Sequence, residues 1–454
     1  MRRIYFFVCI IVLCCINSAQ AHLPCPVNAR GVLQCDAEVK SSYKKSVSLH
    51  FDVNSREESY AARMLTKSLQ ERGYVINANS GDYSIKFFID KRGYDAEAFA
   101  IIPEGNVIKI IGGDYRGLIY GALSLSEDLR NEILLDNAVA RSEKPKLMLR
   151  AVKYDLPWDT YRHSEALNLH DETCRDPKYW EAFLDMMAEN RLNALSLWNL
   201  HPYPFMIIPK NYPEASPFTK EEFKEWQKLF QSIIGMAAER AIETYLIPFN
   251  IFVTPEFSVA HNVAMDNLDH HFYVRGETAQ IVKDYTRECV TQVLEEYPDL
   301  TGFGLTLGEG MAGMTPQERE AWMTETIIEG MRRANRPSKL VHRVPFSSTT
   351  ESLGNTSVET ERITRASIER EADMGFTEGP IFADFKFNWS HSLSTPKLIK
   401  VHGGPLYDTY FNPVSDKYKV TWTARNEDIF CLRWGVPESV SYTHLRAHET
   451  SQDL

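Results

Sequence analysis

The sequence predicts a small α/β sandwich domain at residues 22–145, followed by a (β/α)8 barrel at residues 146–439 that is incomplete at its C-terminus. The hydrophobic pattern changes once, at the Lys144-Pro145 linker. Before the linker, several strands accompany only two helices. After it, apolar strands and amphipathic helices alternate about seven times, and strands separated by helices form right-handed βαβ units in a parallel sheet. About seven such units predict a (β/α)8 barrel whose last strand is missing.

The first domain is predicted from alternating and helical patterns. The strands are SVSLHFDV, YSIKFFID and the hairpin AFAIIPEGNVIKIIGG, and the helices span residues 57–72 and 115–132. Ser55 and Glu58 have the spacing of a capping box at the first helix. These elements predict one sheet with both helices on one face.

The barrel strands are predicted to begin near residues 147, 194, 244, 300, 339, 380 and 418. Helix start signals lie between them. They are Asp176-Pro177, the box from Thr219 to Glu222, and the box Thr315-Pro316 with Glu318. Each predicted strand is therefore followed by a helix with its own N-terminal signal.

The N-terminus has the features of a secretory signal peptide at residues 1–21. Arg2 and Arg3 precede an apolar run over residues 4–16, and Ala19-Gln20-Ala21 forms a small-residue cleavage site. No later segment has the apolar length of a membrane span. We therefore expect an exported protein, secreted or periplasmic.

Charge and the C-terminal residues restrict the possible functions further. The formal net charge of −11 disfavours nucleic acid or an anionic membrane as a partner. Residues 440–450, VSYTHLRAHET, resemble the translation of a sequencing adapter. We therefore expect residues 440–454 to be a non-native tail outside the fold.

Polar side chains are concentrated where the predicted barrel strands end, which is where barrel enzymes place their active sites. The candidates are Asp155, Trp198, His201, Glu309, Arg343, Asp384, Lys386, Arg425 and Glu427. No Ser-His-Asp or Cys-His signature and no glycine-rich phosphate cradle accompanies them, so no cofactor is expected. The loop after the third barrel strand holds His261, His270 and His271, but it matches no established zinc spacing, and no metal site is predicted.

Strand alternation predicts which side chains face the barrel interior. Phe382, Asp384 and Lys386 share one face of the sixth strand, and we expect that face to point inward. Asp384 then either serves a substrate or forms an internal pair with Lys386. The same rule directs Glu309 toward the helices unless Gly308 permits a kink, which we expect it to do.

Two segments carry a family resemblance. GDYRGLIYGALSLSEDL, residues 113–129, resembles the end of the non-catalytic domain that precedes the barrel in β-hexosaminidases and α-glucuronidases. The layout from Leu147 onward, with LTLGEG ending the fourth strand, resembles the same glycoside hydrolases, particularly α-glucuronidases. Where β-hexosaminidases have an aspartate before the strand 4 glutamate, this sequence has Gly308, which disfavours substrate-assisted chemistry.

The resemblance implies an inverting, exo-acting glycoside hydrolase for uronic acid residues of a plant or other complex polysaccharide. Glu309 is expected as the general acid and Asp384 as the general base, with Glu427 or Asp428 as the alternative base. Arg343, Lys386 and Arg425 suit a uronate carboxylate, and Trp198 suits a sugar face. A β-hexosaminidase-like glycosidase and a non-catalytic carbohydrate-binding barrel remain the alternatives.

Overall fold

We analysed the chain as a computed structural model, which describes residues 45–77, 80–158, 165–264, 277–307, 311, 313–344, 357–387 and 408–424. Two separate sheets organise these residues. One sheet has six strands and lies within residues 46–143, and the other has seven strands within residues 151–424. The predicted signal peptide and the predicted C-terminal tail lie outside the described residues.

The first sheet is mixed, with strand order β2-β1-β3-β5-β4-β6. Its strands are β1 (Ser46–His50), β2 (Val75–Ile76), β3 (Tyr83–Ile89), β4 (Phe99–Glu104), β5 (Val107–Gly112) and β6 (Arg141–Glu143). Helices α1 (Arg56–Glu71) and α2 (Tyr115–Arg130) pack against each other, and α2 packs across β4 and β5. The predicted strands, hairpin and helices are all present, whereas the short strands β2 and β6 were not predicted.

The start of α1 differs in detail from the predicted capping box. Ser55 is the N-cap and accepts a hydrogen bond from the Glu58 backbone N–H, as expected. The Glu58 carboxylate instead accepts the backbone N–H of Asp52 at 2.7 Å. It therefore secures the chain that leads into the helix rather than the N-cap residue itself.

The second sheet is parallel throughout, and its strands lie in sequence order from β7 to β13. The strands are β7 (Ala151–Asp155), β8 (Ala194–Asn199), β9 (Glu243–Pro248), β10 (Gly302–Leu305), β11 (Lys339–Arg343), β12 (Ile381–Phe387) and β13 (Tyr418–Ala424). All seven predicted barrel strands are confirmed. Among the described residues β7 and β13 are its two edges, so the sheet forms a curved, partial TIM-like barrel.

Helices cover the outer face of this sheet. They are α3 (Glu165–Arg175), α4 (Pro177–Glu189), α5 (Tyr203–Met206), α6 (Lys220–Glu239), α7 (Pro255–His261), α8 (Gln280–Glu296), α9 (Pro316–Met323), α10 (Glu329–Arg333) and α11 (Val358–Asp373). Asp176 caps α4, and capping boxes at Thr219 and Thr315 open α6 and α9 as predicted. In the part of the chain that the structure describes, no helix combines the length and apolarity required to cross a bilayer.

The parallel strands alternate between two environments. Outward side chains such as Leu197, Phe303 and Phe385 are buried in the core beneath the helices. Trp198 and Tyr245 belong to a smaller apolar cluster inside the curve of the sheet. Gly304 faces this interior, where an added Cβ would lie 2.7 Å from the Ile247 side chain, so the close packing requires glycine there.

Partly buried ion pairs join the smaller sheet and its helix α2 to the N-terminal end of the parallel sheet. Arg116 of α2 contacts Glu97 at 2.5 Å and Glu243, the first residue of β9, at 3.3 Å. Lys339, the first residue of β11, also contacts Glu243 at 2.6 Å. These contacts lie at the end of the parallel sheet opposite to the C-terminal strand ends.

Candidate active site

Asp384 is the best-defined carboxylate on the inner face of the parallel sheet. It lies in β12 beside Arg343 of β11 and Thr421 of β13 in the strand register. Its side chain is buried, with 7% exposed. Ile381, Ala383 and Phe385, which alternate with it, are buried in the core beneath the helices, so the predicted alternation of this strand is confirmed for the described side chains.

The Asp384 carboxylate is held by two threonine hydroxyls. Thr423 Oγ1 lies 2.9 Å from Oδ1 and 2.8 Å from Oδ2, so its single proton is shared between the two oxygens, and Thr421 Oγ1 lies 3.2 Å from Oδ1. Burial raises the pKa of Asp384, while the Thr423 hydrogen bond, the Arg343 charge, the Thr421 hydrogen bond and the Lys153 charge oppose that rise. A buried, oriented carboxylate with a raised pKa has the properties of a proton acceptor.

Two cations and an indole ring lie on the same inner face. The Arg343 guanidinium carbon is 5.2 Å from the Trp198 ring centroid, and Lys153 Nζ is 4.5 Å from it. Trp198 is 4% exposed and donates its indole N–H to Ser196 Oγ at 3.0 Å. The ring therefore positions the cations by cation–π contact. Asp155, half-exposed at the end of β7, pairs with Lys153.

His201 occupies a different environment. Its imidazole Nε2 is 2.9 Å from the Tyr285 hydroxyl of α8, and its ring packs edge-on against Tyr203. These contacts lie between the sheet and the helices, because Tyr203 and Tyr285 both belong to the core beneath the helices. The structure brings Asp155, Trp198, Arg343 and Asp384 to the inner face of the sheet. The contacts of His201 with Tyr203 and Tyr285 lie on the other side of the sheet, so the substrate-binding role of His201 stays a prediction.

Several predicted site residues lie outside the described residues. They are Glu309, Arg425, Glu427 and the side chain of Lys386. The alternation that leads toward Glu309 is visible as far as Leu307, which is buried in the core beneath the helices with Phe303 and Leu305. The kink predicted at Gly308 and the internal pair of Asp384 with Lys386 therefore remain predictions.

Sequence reasoning did not single out Lys153, Thr421 or Thr423. Strand alternation contained the signal, since Lys153 shares a face with Asp155, and Thr421 and Thr423 share one face of β13. What it lacked was the inter-strand register, which places both threonines against Asp384. In the predicted histidine-rich loop, His261 pairs with Glu214 at 2.6 Å, while His270 and His271 lie outside the described residues.

The parallel seven-stranded sheet preceded by a smaller mixed sheet has counterparts among solved structures. Among solved structures, the chain is similar to a GH138 enzyme targeting pectin rhamnogalacturonan II, with a TM-score of 0.59 and 23% identity over 76% of this chain and 43% of that chain. The chain thus spans less than half the length of that enzyme.

The chain is also similar to two β-hexosaminidases, each with a TM-score of 0.48. One is a Streptomyces plicatus mutant in complex with its product GlcNAc, at 14% identity over 81% of this chain and 76% of that chain. The other is the GH20 enzyme of Streptomyces coelicolor A3(2), at 13% identity over 81% and 78%. No family model and no curated protein matches the chain.

Proposed function

We propose that the chain is an exported glycoside hydrolase that removes a terminal uronic acid, such as an α-glucuronosyl residue, from a plant or other complex polysaccharide. The observation that supports this proposal best is the buried Asp384 carboxylate beside Arg343 on the inner face of the parallel sheet. Glycoside hydrolysis requires such a carboxyl group, and a uronate requires such a cation. The similarity in fold to a GH138 enzyme targeting pectin rhamnogalacturonan II makes pectic uronides natural first substrates.

In the proposed mechanism, Asp384 accepts a proton from water as the water attacks the anomeric carbon. Its raised pKa makes it a stronger base than an exposed aspartate, and the two threonine hydroxyls keep its orientation fixed. Glu309 is the proposed acid that protonates the leaving oxygen, and Glu427 is the alternative to Asp384. Inversion requires the two carboxyl groups to lie roughly 6.5–9.5 Å apart, which leaves room for the water.

Arg343 is the proposed partner of the substrate carboxylate, together with Lys386 and Arg425. Its guanidinium offers a planar pair of donors that matches a carboxylate. The Trp198 ring, 5.2 Å from the guanidinium carbon, limits the orientations of the Arg343 side chain. Less side-chain conformational entropy is therefore lost when substrate binds. Trp198 thus acts in the proposal as a positioning residue for Arg343 and Lys153.

The test is an assay of the full chain on aryl α-glucuronides, aryl α-galacturonides, aryl N-acetyl-β-glucosaminides and rhamnogalacturonan II oligosaccharides. We expect release of a uronic acid, and proton NMR should show the inverted anomer as the first product. Asp384→Asn should lower kcat by about 10²–10⁴-fold while retaining the fold. The exposed Asp416→Asn is the matched control.

Three outcomes would contradict the proposal. Turnover of the N-acetyl-β-glucosaminide alone would favour the hexosaminidase-like alternative. Oligosaccharide binding with no turnover by the folded chain, and no change in Asp384→Asn, would favour a carbohydrate-binding barrel. Activity that survives Asp384→Asn but is lost in Glu427→Gln would transfer the base role to Glu427.

A further inference from the structure

A second cluster of titratable side chains lies on the opposite side of the parallel sheet from Asp384. It consists of Glu320 of α9, His342 of β11 and Glu371 of α11. His342 precedes Arg343, and since neighbouring side chains of a strand point to opposite faces, His342 faces the helices while Arg343 faces the barrel interior. The exposed fraction is 3% for Glu320 and 0% for both His342 and Glu371.

The three side chains converge on one point. His342 Nε2 lies 3.2 Å from Glu320 Oε2 and 3.8 Å from Glu371 Oε2, and the three potential ligand atoms all lie within 4.8 Å of one another. Ligand atoms placed about 2.0–2.1 Å from a tetrahedral zinc ion are roughly 3.4 Å apart. The two measured N–O separations lie on either side of that value.

Neighbouring groups hold the His342 ring and the Glu320 carboxylate in orientations suited to metal binding. His342 Nδ1 lies 3.2 Å from the Arg343 carbonyl oxygen, so an N–H at Nδ1 leaves the Nε2 lone pair directed at the carboxylates. Thr364 Oγ1 donates a hydrogen bond to Glu320 Oε1, the oxygen that faces away from His342. Such second contacts fix the ring and carboxylate orientations of metal ligands.

The environment of Glu371 is an independent observation that points to a bound cation. Among the described residues, neither of its carboxylate oxygens has a hydrogen-bond donor, although the side chain is fully buried. Burying a carboxylate without a partner is costly. A proton on His342 Nε2 would satisfy Glu320 at 3.2 Å but would remain 3.8 Å from Glu371, which is beyond hydrogen-bond distance. A divalent cation at the centre would contact all three ligand atoms at once.

We propose that Glu320, His342 and Glu371 form a zinc site that joins β11 to helices α9 and α11. One imidazole nitrogen and two carboxylate oxygens suit Zn²⁺, whereas Ca²⁺ and Mg²⁺ favour sets composed of oxygen alone. The two carboxylates balance the charge of the ion, and a water molecule can complete the tetrahedron. The site is structural, and through the adjacent residue it also limits the movement of Arg343.

The experiment uses the full chain, first stripped with a chelator and then dialysed against ZnCl₂ and metal-free buffer. We expect about one zinc per chain by elemental analysis and a thermal unfolding midpoint several degrees higher with zinc at a large excess over Kd. Glu371→Gln keeps the shape of the side chain and should weaken zinc binding at least about tenfold. Glu359→Gln, an exposed change on the same helix, is the matched control and should bind as the original chain does.

A second measurement uses only the original chain, so it does not depend on whether the Glu371→Gln variant folds. Co²⁺ added to the stripped original chain should give the intense visible absorption of a four-coordinate ion, and Zn²⁺ should displace it. Failure of the original chain to retain either metal would overturn the proposal. Equal zinc binding by folded Glu371→Gln would also overturn it, because the metal would then be held elsewhere, for instance by His270 and His271.

Discussion

Thr423 lies on the strand next to Asp384, two residues beyond its register partner Thr421, and the Thr423 hydroxyl oxygen is 2.9 and 2.8 Å from the two Asp384 carboxylate oxygens. This contact opposes the rise in the pKa of Asp384 that burial causes. The balance between burial and hydrogen bonding therefore sets the pH range in which Asp384 can accept a proton. That balance is open to direct test.

Thr423→Val should raise the pKa of Asp384 further, because it removes a donor to the charged form. If Asp384 is the base, the acidic limb of kcat/KM moves to higher pH by about one unit, since a hydrogen bond to a charged group contributes about 1.5 kcal/mol or more. A pH profile of kcat/KM measures the shift. Thr423→Ser retains the hydroxyl and should leave the limb in place; an unmoved limb in Thr423→Val would exclude Asp384 as the titrating base.

Glu309→Gln should reduce turnover far more for substrates with poor leaving groups than for activated aryl glycosides. Only a poor leaving group requires protonation as the glycosidic bond breaks. Comparing kcat across aryl glycosides with graded leaving-group pKa values tests this directly. Equal losses along the series would remove Glu309 from the general-acid role.

Arg343→Lys should raise KM for uronides by about 10–100-fold and should change KM for the matching neutral glycosides little. The variant retains the positive charge near Asp384 but loses the planar pair of donors that a carboxylate matches. Steady-state kinetics on a paired aryl α-glucuronide and aryl α-glucoside measure the difference. Similar changes for both sugars would show that Arg343 orders the site without binding the uronate.

Arg116→Met should destabilise the fold by about 2–4 kcal/mol. It leaves the partly buried Glu97 and Glu243 carboxylates without the cation that contacts both of them. Urea unfolding gives the loss. Arg332→Met removes an exposed pair with Glu329 in α10 and should change stability by at most about 0.5 kcal/mol. A small loss in Arg116→Met would mean that two other cations already compensate the acids: Lys339, which contacts Glu243, and Arg150, which contacts Glu97 at 2.8 Å.

Glu243 should also make stability fall in acid. Burial alone would raise its pKa, but Arg116 and Lys339 outweigh burial and hold the pKa of Glu243 below its ordinary value of 4.5. The ionised Glu243 therefore stabilises the fold at pH values above 4.5, and this stability is lost as the pH falls through the lower pKa that Glu243 has in the folded chain. Urea midpoints between about pH 3 and pH 6 measure the slope, and Glu243→Gln should flatten it. An unchanged slope would assign the acid sensitivity to other carboxylates.

The sequence alone determined the local structure and the order of the parallel sheet. Strand alternation placed Asp384 on the inner face, and the signals at Asp176, Thr219 and Thr315 marked where helices begin. These predictions succeed because strand alternation and helix capping depend only on residues a few positions apart in the sequence. The order of the seven strands follows equally simply, since each helical connection returns the chain beside the strand it left.

Only the tertiary structure decided which side chains meet. Thr423 reaches Asp384 through the register of two strands, and Lys153 and Arg343 meet on Trp198 from strands far apart in the chain. The short strands β2 and β6 likewise exist because neighbouring strands pair with them, since their few residues contain too little pattern to predict.

The cluster of Glu320, His342 and Glu371 shows the same limit most clearly. Its members come from two helices and a strand and have no spacing that a metal motif would recognise. Local periodicity fixes the face on which a side chain lies, but the distance between two side chains depends on how the elements pack. That packing is the sum of many weak contacts along the whole chain, so no short segment of the sequence specifies it.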